Sequence, residues 1–257
     1  MKYPEHDESY TYRPALDDWF SSELGKLLLR RETDMLAARL ERLFGYYLLQ
    51  LSALADTDLS AASKIRHQFQ FATSPDKPGR SGAVAQFEAL PLESDSIDVV
   101  LLHHVLEFSR HPHRILREAH RVLLPQGHLV LVCINPWSLF GLRTRVLGSY
   151  RNSPWRGHMI SARRMMDWLS LLDMRVTDVH QVFHELPIQA PAVLGKLAPL
   201  WDHAARHSLP FGGVYVIEAR KQRVGITPLK PKWRVWRPEM VPLGAANSGI
   251  PTSKNLH

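Results

Sequence analysis

The sequence predicts an α/β fold: an open, mostly parallel sheet with helices on both faces, preceded by an N-terminal helix. Three observations carry this. Residues 97–102 (IDVVLL) and 128–134 (HLVLVCI) are nearly continuous apolar runs, as expected of parallel strands covered on both faces. Between them Ile115, Leu116, Ala119, Val122 and Leu123 form one apolar helical stripe, so the order strand, helix, strand has the length of a right-handed βαβ crossover. Further strand candidates at 46–51, 67–72, 83–87, 174–182 and 214–219 bring the set to seven.

The elements follow from local chemistry. Leu24, Leu27, Leu28, Met35, Leu36, Leu40 and Leu43 recur at three- and four-residue steps, predicting one helix, or two in series, over 16–44. Gly25 weakens it locally, and Gly45 can close it in a left-handed conformation. A short helix is expected at 60–66. Pro75, Pro78 and Gly79 mark a loop, and residues 90–95 read as a turn. Pro112 stands where a first helical turn tolerates proline, and Leu124-Pro125-Gln126-Gly127 fits a tight turn. Ser161 can cap a helix whose apolar face is Met165, Met166, Leu169 and Leu172. The expected organisation is a helical extension over 1–45, a domain over 46–220 with a Pro- and Leu-rich insertion at about 186–210, and a basic, weakly structured tail over 221–257.

Composition narrows the function classes. The 257 residues are 45% hydrophobic and 22% charged, ordinary for a folded domain. Neither an apolar run of about 18 residues nor a signal-peptide pattern at the amino terminus is present, so a cytoplasmic location is expected. Cys133, the single cysteine, excludes an internal disulfide framework and a cysteine-based zinc site, and inside a buried strand it is expected to be inert. The formal charge of +7 is uneven. Arg220, Lys221, Arg223, Lys230, Lys232, Arg234 and Arg237 cluster at the end, with Glu239 the nearest acid after them. Trp233 and Trp236 among those cations could stack on single-stranded nucleic acid; a solvated or partner-docking terminus is the plainer alternative.

The run Ala89-Leu90-Pro91-Leu92-Glu93-Ser94-Asp95-Ser96-Ile97-Asp98-Val99-Val100, followed by Leu106, Leu116-Arg117-Glu118, Arg121-Val122-Leu123 and Pro125-Gln126-Gly127, resembles the methyltransferase-11 type of class I methyltransferases, which use S-adenosylmethionine (SAM). The likeness is strong over 86–134, and the chain resembles short bacterial proteins of this type in particular. It implies a Rossmann-like fold, SAM as cofactor, and transfer of a methyl group to an acceptor, with a small molecule expected. Such transfer is an in-line displacement at a sulfonium methyl, in which positioning supplies much of the catalysis.

Ligands of open α/β sheets bind beyond the carboxyl ends of the strands. The candidate cofactor-binding residues there are Gln50, Ser52, Ala53, Leu54, Thr73, Gln86, Phe87, Leu102 and His103. Residues 50–56 stand where the family carries an acid and a glycine-rich loop, yet they contain no glycine, and glycine is what lets backbone lie against the ligand. SAM binding therefore requires an open cavity beside Ser52–Asp56 and next to His103. His103 and His104 are the candidate catalytic bases, with a capped strand end and a part-buried histidine as the plain alternative; Glu107 is a further acid or base. Asp98 is expected to hydrogen-bond the preceding turn. His111-Pro112-His113 lacks a spaced carboxylate or cysteine partner, so no metal is expected. Two functions stay open: a SAM-dependent methyltransferase, or an inactive methyltransferase-like binding or regulatory module in which the missing glycines are the signature.

Overall fold

The computed structural model describes residues 13–54, 57–72, 83–142, 159–183 and 212–222. The chain divides into two compact units, 1–223 and 224–257, and all described residues belong to the first. The elements are α1 (Arg13–Phe20), α2 (Glu23–Leu40), β1 (Tyr47–Ser52), β2 (His67–Ala72), β3 (Ala83–Val84), β4 (Ile97–His103), α3 (Val105–Phe108), α4 (Pro112–Val122), β5 (Leu123–Ile134), α5 (Ala162–Leu171), β6 (Met174–Val182) and β7 (Val214–Lys221).

The seven strands form one sheet in the order β3-β2-β1-β4-β5-β7-β6. The first five are parallel, and β7 runs antiparallel to both β5 and β6. The chain order reverses between β1 and β4, the place where such sheets bind ligands. Each face carries its own apolar core. One holds Leu49, Leu51, Val100 and Leu102 with Leu116 of α4 and Met165 of α5. The other holds Leu48, Val99, Leu101 and Val130 with Leu16, Leu24, Leu28, Leu36 and Leu40 of α1 and α2.

Several expectations need adjustment. The N-terminal segment takes the second of its two expected forms, two helices in series, and Ser22 caps the second by accepting a 3.1 Å bond from Gly25 N–H. Gly25 has a positive role: a Cβ there would stand 2.3 Å from the Trp19 carbonyl, so glycine permits the tight corner between the helices. The second helix stops at Leu40, before Gly45. Residues 60–66 form no helix, because Asp58 takes the Ser60 N–H and hydroxyl and Ser63 takes the Ile65 N–H, turning the backbone instead. The third strand is only two residues long, followed by a bridge between Gln86 and Ala89. Leu123 pairs with Ile97 and pairing resumes at His128 with Val99, so 124–127 loops out of β5, and Gln126 takes the left-handed position with φ 74°. The insertion expected at 186–210, Thr73, and the basic tail with Lys230, Lys232, Trp233, Arg234, Trp236 and Arg237 lie outside the described residues.

The crossover from β1 to β2 positions the candidate site. Among its described residues none is helical. Leu59 and Ile65 instead pack into the core that α2 covers, so a helix preceding β1 covers this face of the sheet.

Candidate functional site

At the carboxyl ends of β1 and β4 the sheet delivers Ser52 and His103 side by side, in register. His104 follows in the left-handed conformation, φ 52° and ψ 22°. Successive side chains of a strand point to opposite faces; this turn lets both imidazoles converge on one group. That group is Glu32, from the middle of α2. Its Oε2 lies 3.1 Å from His103 Nε2 and its Oε1 lies 2.8 Å from His104 Nε2. The three side chains are fully buried.

The outer ring nitrogens are engaged as well. His103 Nδ1 is 2.9 Å from Ser52 Oγ, which also accepts the Leu54 N–H. His104 Nδ1 is 3.1 Å from Glu107 Oε1, which accepts the Ile134 N–H at 2.8 Å. Among the described residues, the second Glu107 oxygen is buried without a hydrogen-bond partner.

The electrostatics set the protons. Burial opposes ionisation of Glu32, but the facing His104 and His103 rings hold its carboxyl down at about 2. Burial likewise opposes charge on His104, yet Glu32 and Glu107 on either side push it up to about 10. His103 goes the other way, lowered by burial and by the charge of His104 against the pull of Glu32. Near neutral pH the cluster is therefore a carboxylate, an imidazolium and a neutral imidazole. Neutral His103 then donates from Nε2 to Glu32 and accepts the Ser52 hydroxyl at Nδ1, so every ring nitrogen is occupied.

The expected site residues are brought together, but turned inward. His103 and His104, expected as bases, face Glu32 instead of a cleft. Gln50 is buried and saturated: its amide N–H groups go to the Thr57 carbonyl and to Gln70 Oε1, and its Oε1 takes the Leu59 N–H. The Ala53 N–H prolongs the ladder to the His103 carbonyl. Leu54 packs into the core under α2, whereas Leu102 and Phe87 belong to the core of the opposite face. Gln86 is exposed. Asp98 is structural, but it fastens β1 rather than the preceding turn: its Oδ2 accepts the Tyr46 and Tyr47 N–H groups, each at 2.9 Å. His113 packs on Trp168, and Cys133 is buried with burial pushing its thiol well up.

Glu32 escaped the sequence reading, although a signal was present. It occupies the central place of the stripe Leu24, Leu28, Glu32, Leu36, Leu40, each step four residues. A carboxylate there is buried on the helix's apolar face and must find partners.

The parallel five strands, the antiparallel β7 and the switch point at β1/β4 define a class I methyltransferase fold. The methyltransferase domain family matches residues 44–131. The uncharacterized protein YafS of Escherichia coli (strain K12) is 33% identical over 217 residues, covering 83% of this chain and 84% of that protein. A SAM-dependent methyltransferase of Thermotoga maritima, described as a possible histamine N-methyltransferase, superposes with a TM-score of 0.58 at 18% identity, over 83% of this chain and 99% of its own. The [4+2]-cyclase SpnF superposes with a TM-score of 0.50 at 18% identity, over 75% and 80%. The chain belongs to the methyltransferase-11 family of class I methyltransferases, a family of SAM-dependent transferases.

The described residues at the β1–β4 edge do not fit the family's SAM cradle as they stand. The turn after β1 has no glycine, its Ser52 hydroxyl is spent on His103 and on Leu54 N–H, Leu54 is core, and Glu32 fills the space between the histidines.

Proposed function

We propose that the protein transfers a methyl group from SAM to a small-molecule acceptor, a reading that requires the recess beside Ser52–Leu54 to open around the donor. Family membership carries this reading: the match over residues 44–131 spans β1 to β5, and these strands assemble in the family's order. No described helix is long and apolar enough to cross a membrane, which agrees with an acceptor reached from water.

The test is calorimetry of the full chain with SAM. One equivalent bound with micromolar affinity, competed by S-adenosylhomocysteine, is the expected result. Absence of both heat and thermal shift at millimolar SAM would remove the reading.

One observation favours a second reading, a family scaffold that has given up SAM and serves as a binding module. Glu32, His103 and His104 satisfy one another where the family places its donor. Folds of this kind host more than one chemistry, so the scaffold alone does not fix the reaction. Failure of SAM to bind would leave this second reading standing.

A further inference from the structure

We propose that Glu32, His103 and His104 form a buried site for one divalent transition-metal ion of the zinc type, independent of whether SAM is bound. Donor atoms from three separate elements meet at one point: a carboxylate of α2, the last residue of β4, and the left-handed residue leading into α3. One ligand atom from each lies within 4.8 Å of the other two. Imidazole nitrogen and carboxylate oxygen bind zinc at about 2.0–2.2 Å, which sets neighbouring tetrahedral ligands roughly 3.3 Å apart. His104 Nε2 lies 2.8 Å from Glu32 Oε1 and His103 Nε2 lies 3.1 Å from Oε2, so the two rings and the carboxylate draw together around an ion from separations already within 4.8 Å.

The outer surroundings suit the same occupant. A metal-binding histidine typically fixes its remote ring nitrogen with a carboxylate or another polar group, which sets the ring plane and raises its basicity. Here Glu107 does this for His104 and Ser52 for His103, leaving both Nε2 atoms aimed inward. Two imidazoles and a carboxylate suit zinc, and equally the ferrous ion of a two-histidine, one-carboxylate site.

The experiment loads the full chain, treated first with chelator, with Zn2+ in calorimetry and with Co2+ in visible spectroscopy. Expected are one equivalent of Zn2+ per chain and an intense d–d band for Co2+ in a low-symmetry site. Both should vanish in Glu32→Gln and in His103→Gln, while far-UV circular dichroism shows the variants folded. Glu107→Gln provides a milder change: stoichiometry stays at one, and affinity falls about 10- to 100-fold. Several weak equivalents that persist in Glu32→Gln would assign binding to exposed histidines and overturn the proposal. So would no uptake at all by the wild-type chain, or a Co2+ spectrum indifferent to His103→Gln.

Discussion

Replacing Glu32 by alanine tests whether the cluster is held together as described. The carboxylate is fully buried and accepts from two rings, at 3.1 and 2.8 Å. Hydrogen bonds to charged groups contribute about 1.5–3 kcal/mol each. Removing one partner of a buried ion pair costs about 3–5 kcal/mol, because the other charge stays behind. The two figures agree on a loss of about 4 kcal/mol, a large share of a domain's marginal stability. Glu32→Gln keeps the shape and removes the charge, so it should lose about half as much. The assay is urea unfolding followed by tryptophan fluorescence in chelating buffer, with His104→Ala and the double variant completing a thermodynamic cycle. The coupling should exceed about 1.5 kcal/mol, since the residues touch. A loss under about 1 kcal/mol for Glu32→Ala, or additive single variants, would refute the reasoning.

Further outcomes follow from the same contacts. The folded His104 keeps its proton up to about 10, against 6.5 for an ordinary imidazole, so its contribution is complete below 6.5 and is lost as pH rises through about 10. Stability of the chelated protein should fall by up to about 1.4 kcal/mol per unit between about pH 7 and about pH 10, read from urea midpoints; a flat or rising profile would contradict the imidazolium. Glu32, held at about 2, contributes fully above 4.5 and loses that contribution as pH falls toward about 2, whereas His103, lowered, weakens the fold as pH drops below 6.5. Tyr215→Phe removes the buried 2.8 Å bond to the Ile160 carbonyl and should cost about 1–2 kcal/mol in the same unfolding assay. Gly45→Ala should cost about 2 kcal/mol, since its Cβ would meet Asp98 Cβ at 2.4 Å and dislodge the carboxylate that holds Tyr46 and Tyr47; a thermal midpoint equal to wild type would show Asp98 free to move.

The sheet was legible because its strands announce themselves. Residues 97–102 and 128–134 are apolar without alternation, and Pro112 and Ser161 mark helix starts by chemistry that acts within one turn. Boundaries went wrong where two local preferences competed, as at Asp58 and Ser63, whose side chains outbid helix formation. The histidines were found from their place at a strand end, but their direction was not. The residue that turns them inward lies some seventy positions earlier in sequence, on a helix read as simple packing. Spacing within one element could expose Glu32 as an interruption of a leucine stripe; only the assembled sheet could supply its partners.

The helix that roofs one face of the sheet is joined to the chain ahead of β1, not behind it. The stretch that carries the family likeness, 44–131, therefore cannot be excised as a self-sufficient folding unit. It would leave Leu48, Val99, Leu101 and Val130 open to water, and β5 would present a bare edge where β7 now pairs. During synthesis the roof emerges from the ribosome before the floor it shelters, so α1 and α2 must wait for β4 and β5 before their leucines have anywhere to go.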